Sequence, residues 1–135
     1  MTTIVTRAGK GSPLTNTEID TNFTNLNTDK LEISVGTITT STTITPSSSN
    51  TQYNVTALAT AATIAAPSGT PVHGHKLILR IKDDGSARGL SWNAIWRGIT
   101  GALPTTTTAS KTMYIGAVYN GDDSYWDVMS VTEEA

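Results

Sequence analysis

A chain of 135 residues with 37% apolar and 15% charged residues and a net charge of −2 has the composition of one modest folded core plus an appendage, not that of a disordered chain. The near-neutral balance gives no electrostatic footprint for nucleic acid, and no run of about eighteen apolar residues is present to span a membrane. Cysteine is absent, which excludes disulfides, thiolate metal sites and cysteine nucleophiles together.

Residues 1–13, MTTIVTRAGKGSP, read as an extended arm. Ile4 and Val5 form a short β-capable piece, Arg7 and Lys10 give it a positive charge, and Gly9, Gly11 and Pro13 argue against regular structure. The arm is expected either to dock on a partner through Ile4, Val5, Arg7 and Lys10 or to fray as a solvated terminus. It lacks the apolar core of a secretory signal, so synthesis and assembly in a cytoplasm are expected.

Residues 14–33 carry the one strong helix signal. Thr15 and Glu18 have the spacing of a capping box, with Leu14 and Ile19 placed for a hydrophobic staple. Beyond the cap, Ile19, Phe23, Leu26, Lys30 and Ile33 follow a four-then-three spacing, a narrow seam among Asn, Asp and Thr. Burying three such apolar side chains contributes roughly 1.5–3 kcal/mol each, whereas fixing the backbone costs about 1–2 kcal/mol per residue. The helix therefore needs a partner, either the chain's own β-domain or further copies of itself. The narrowness of the seam, and Lys30 snorkelling at its end, point to self-association.

From residue 34 onward the period changes to that of strands. The threonine-rich 37–45 segment, part of a total of 26 threonines, reads as a connecting or edge strand closed by Pro46. TQYNVTAL places Tyr53, Val55 and Ala57 on one side, and KLILRIK places Leu77, Leu79 and Ile81 on one face. Asp83, Asp84 and Gly85 have the composition of a hairpin turn leading into a strand with Leu90, Trp92, Ala94 and Trp96. KTMYIGAVYN and SYWDVMSVT, separated by Gly121, Asp122 and Asp123, form a second hairpin whose two faces are both apolar. The expected fold is mainly β with one N-terminal helix: arm 1–13, association helix 14–33, and a C-terminal β-sandwich or jelly-roll-like domain 34–135.

Candidate chemistry is sparse. His73 and His75 form an H-x-H pair, but no third ligand is dictated by spacing, and the Asp pairs lack the D-x-D-x-D-G pattern of a calcium loop. No nucleophile elbow or P-loop occurs. No catalytic residue, metal or cofactor is expected. Trp92, Trp96 and Trp126 either fill the core or, alternatively, form a platform for stacking a glycan.

The opening VTRAGKGSPLTNTEIDTNFTNLNTDK resembles the N-terminal segment of virion structural proteins of tailed bacteriophages, including those of cyanobacteria and other marine bacteria. The run from Gly69 to Ala135 is similar to the C-terminal β-domain of many of the same proteins. This resemblance implies a non-enzymatic, usually homotrimeric protein of the virion, assembled in the host cytoplasm. With no room for a shaft, the expectation is a capsid decoration or cement protein bound to the major capsid protein or another virion protein. The alternative is a short tail fibre or baseplate appendage whose β-domain reads a host receptor or glycan. Nucleic acid and membrane are not expected partners.

Overall fold

Aliphatic residues recur at matched positions on successive windings of the chain, and these columns set the architecture. The computed structural model describes residues 3–29 and 33–135, in two units, Met1–Glu32 and Ile33–Ala135. The second unit holds nine strands: β1 (Val35–Ile38), β2 (Thr43–Ile44), β3 (Gln52–Leu58), β4 (Ala62–Ile64), β5 (Lys76–Asp83), β6 (Leu90–Trp92), β7 (Trp96–Gly98), β8 (Thr112–Asn120) and β9 (Tyr125–Glu133). They form a six-stranded sheet in the order β1-β3-β5-β8-β9-β7 and a three-stranded sheet in the order β2-β4-β6. The protein is thus mainly β with a short N-terminal helical unit, as its patterning predicts.

The windings are parallel. β1, β3 and β5 pair in parallel in the larger sheet, and β2, β4 and β6 do so in the smaller one. Each passage of the chain from one sheet to the other therefore adds one strand to each, in the manner of a short solenoid. Ile38, Val55, Ile81 and Met113 stand opposite one another across the larger sheet, while Ile44, Ile64 and Trp92 do so in the smaller. Even the corner is in step, since Ser48 N donates to Ser68 O (2.7 Å) and Ser68 N to Pro46 O (2.8 Å). Gly36 permits this closeness on the first winding: a Cβ there would stand 2.4 Å from the Tyr53 ring.

Leu77, Leu79 and Ile81 of β5, Ile115 of β8 and Trp126 of β9 are buried in one core with Ile44, Ile64 and Leu90 of the smaller sheet. The last hairpin, β8–β9, is antiparallel as expected. The Asp83-Asp84-Gly85 segment differs from expectation: it is not a hairpin turn but a corner carrying the chain from β5 to β6 in the other sheet. Its cause is tertiary, because the buried Asp83 carboxylate accepts from Gly85 N (3.0 Å) and, from a distant part of the chain, from Ser110 N (2.9 Å) and the Thr107 hydroxyl (2.8 Å). The expected strand from Leu90 to Trp96 is also divided. Asn93 turns the chain, its Oδ1 accepting from Ile95 N (3.0 Å) and its carbonyl from Trp96 N (3.0 Å), an Asx-type device.

The two ends of the parallel stack are treated differently. Beyond β6, Leu90 N donates to Thr105 O (2.8 Å) and the Trp92 indole to Pro104 O (2.7 Å), so the 103–107 loop covers that edge. On the first winding, β1 and β2 are the outer strands of their sheets among the described residues.

Candidate association surface

The N-terminal unit is built from two helices that share a salt bridge. α1 spans Arg7–Lys10; Thr6 caps it, its hydroxyl accepting from Gly9 N (3.1 Å), and Gly11 closes it in the left-handed conformation at φ 72°. The arm was expected to be irregular here. Instead Gly9 lies within a single helical turn and Gly11 ends it, serving as the C-terminal stop that only glycine adopts without strain.

α2 spans Asn16–Asp29 and begins with the predicted capping box. Glu18 N donates to Thr15 Oγ1 (3.2 Å), and Thr15 N donates to Glu18 Oε2 (2.8 Å). Lys10 Nζ donates to the same Glu18 oxygen at 2.5 Å. The Lys10 hydrogen bond, followed by those from the Thr15 amide and hydroxyl, lowers the Glu18 pKa to about 2.

One flank of α2 receives the arm. Asn22 accepts from Val5 N (2.8 Å) and donates to Val5 O (2.7 Å), so one amide side chain satisfies both backbone groups as a neighbouring strand would. Asn25 donates to Thr3 O (2.7 Å). Of the expected docking residues, Val5 and Lys10 are thus engaged with α2, while Ile4 and Arg7 are exposed.

The seam is another flank of the same helix and is bare. Ile19 is 39%, Phe23 68% and Leu26 63% exposed. Lys30 lies outside the described residues. Ile33 is non-helical and exposed in the second unit, so of the helix expected over 14–33 the described residues show Asn16–Asp29, and Ile33 does not prolong its stripe.

The tryptophans go to the core. Trp126 is fully buried and Trp96 4% exposed, and their ring centroids stand 5.7 Å apart; Trp92 packs edge-on against Trp96 at the same distance. The glycan-stacking alternative is thereby corrected for Trp96 and Trp126, whose faces are enclosed by one another and by aliphatic neighbours. The histidines separate as well. His73 Nδ1 lies 3.8 Å from Asp122 Oδ1, whereas His75 Nε2 is 2.8 Å from Asn50 O. Among the described residues no group of three or more His, Cys, Asp or Glu side chains is placed to hold a metal, and no helix is long and apolar enough to cross a membrane.

Two further surface features lie on the larger sheet. Arg97 of β7 binds Asp127 (2.7 and 3.1 Å) and Asp123 (2.9 Å) and covers the Tyr125 ring at 4.8 Å. Its hydrogen bond holds the Asp127 carboxyl below the ordinary carboxylate range. On the outer face, Ile78, Gly116, Val118 and Met129 line a shallow apolar groove of about 220 Å³.

No protein-family model matches this sequence, and no curated protein matches it. A solved structure described as "Structure of a chaperone-substrate complex" aligns at TM-score 0.44 and 10% identity, over 76% of this chain and 18% of its own. A likeness that distant transfers neither fold nor role.

Proposed function

We propose that this protein is a non-enzymatic structural component of a tailed-phage virion that acts as a homotrimer, decorating the head and stabilising it against heat and pressure. The observation that carries this reading is the bare seam of Ile19, Phe23 and Leu26 on a helix whose neighbouring flank is already occupied by its own arm. A narrow apolar stripe of this spacing is a helix–helix seam, and the resemblance of the opening segment supplies the context of a phage particle. Three copies would join along α2 and present their β-domains outward. Binding only the assembled shell would lower the free energy of that shell by mass action. Because Val5 and Lys10 are engaged with α2, contact with the major capsid protein is assigned to the oligomer as a whole.

The second reading, a tail fibre or baseplate appendage with a glycan-reading β-domain, loses its stacking platform to the burial of Trp96 and Trp126. Quantitative mass spectrometry of purified particles separates the two. Hundreds of copies per particle are expected for a decoration protein, and a handful would place it in the tail. Sedimentation equilibrium of the isolated protein tests the oligomer directly; a monomer at concentrations of tens of micromolar would overturn it.

A further inference from the structure

The flanks of α2 are unequally charged, and that asymmetry bears on how copies would assemble. In heptad terms the seam places Phe23 at a and Ile19 and Leu26 at d, which puts Asn22 at g and Asp20 at e. At about 100° per residue, Asn22 lies about 60° to one side of Ile19 and Asp20 about 100° to the other. The arm runs along the Asn22 side, held there through Val5 and by Lys10 on Glu18. Arg7 stands on the arm between these two anchors, Val5 and Lys10, on this side of the helix.

Arg7 and Asp20 are both exposed, and neither has an ionic partner among the described residues, unlike Lys10 and Glu18 on the same unit. They stand on opposite sides of the seam. In a parallel bundle the g flank of each helix faces the e flank of the next, whereas an antiparallel pair sets like flanks together. Parallel packing would bring Arg7 of one copy to Asp20 of its neighbour; antiparallel packing would set Arg7 against Arg7 and Asp20 against Asp20.

We infer that the arm is an inter-subunit clasp: folded on the g flank of its own helix, it reaches across to a second copy in a parallel, in-register ring, with Arg7 meeting Asp20. This rests on the self-association reading above and gives the arm a task within the oligomer in place of a contact with the shell. The occupant of the seam is then another copy of this chain, selected by charge complementarity between its two flanks.

Charge reversal tests it. Arg7→Glu and Asp20→Arg are each expected to weaken association about tenfold, since three exposed pairs are reversed per ring, and the double variant R7E/D20R should recover most of the loss. Because the chain has no cysteine, a lone Leu26→Cys is a clean reporter of direction. Mild oxidation should give a covalent dimer, as parallel in-register helices bring residue 26 to its own copy, whereas an antiparallel pair centred on Phe23 sets it beside Ile19. Sedimentation equilibrium that shows an oligomer indifferent to both single reversals, or no recovery in the double variant, would overturn the clasp while leaving self-association intact. A monomeric parent protein would remove both.

Discussion

Asp83 is a buried charged residue near one end of the larger sheet. The Asp83 carboxylate accepts three hydrogen bonds, two of which, from Thr107 and Ser110, fasten the 107–110 loop to β5, while the third, from Gly85 N, holds the corner. Burial pushes its pKa up, but the bonds from Ser110, Thr107 and Gly85 outweigh that and hold it below the ordinary value. Asp83→Ala would leave Thr107 and the two amides without their acceptor, a loss of about 2–4 kcal/mol read from urea unfolding. Since the folded pKa is depressed, the stabilisation is fully present above the unfolded value of about 3.9 and is lost as pH falls through the folded one. Asp83→Asn should flatten the fall in stability below about pH 4.

At the level of elements, local signals were the legible ones. The Thr15–Glu18 box, the β5 alternation and the β8–β9 hairpin can be read because each is encoded in one continuous stretch, in the hairpin's case about a Gly121-Asp122-Asp123 turn. Loss of the cap by Thr15→Ala should cost about 1 kcal/mol, seen as reduced helicity by circular dichroism. Phe23→Asp should abolish association while leaving the β-domain's thermal transition in place, measured by light scattering and calorimetry; a persisting oligomer would return the seam to a solvent role. What sequence did not reveal is long-range. The columns Ile38–Val55–Ile81 and Ile44–Ile64–Trp92 link positions 17 to 28 residues apart, and nothing in the alternation of one strand says whether its neighbour runs parallel. The corner at Asp83 has the composition of a hairpin turn, and only Thr107 and Ser110, far along the chain, make it something else. Asn22 and Asn25 look like ordinary solvated helix residues until the arm lies against them.

For the whole molecule, the described residues divide into a small helical unit with little buried apolar surface and a β unit with a continuous core. Expressed alone, residues 33–135 should fold with the tryptophan fluorescence and thermal midpoint of the full chain, because Trp92, Trp96 and Trp126 and their neighbours all belong to that unit. Residues 1–32 alone should show little helix at low concentration, since a 14-residue helix rich in Asn and Thr is below the length at which isolated helices persist.

The difference between the edge strand β1 and the doubly paired β5 also gives the β-domain a mechanical polarity. A load applied through the N-terminal unit reaches the β-domain at β1, which is held on one side by four paired residues. β5, by contrast, has a neighbour on both sides, with seven residue pairs to β8 alone. Under tension the chain should yield first at β1 and shed its windings in order toward the hairpin, while the β5–β8–β9 centre of the sheet holds. A pull on the chain would meet a graded spring at this end of the domain rather than a single breaking point.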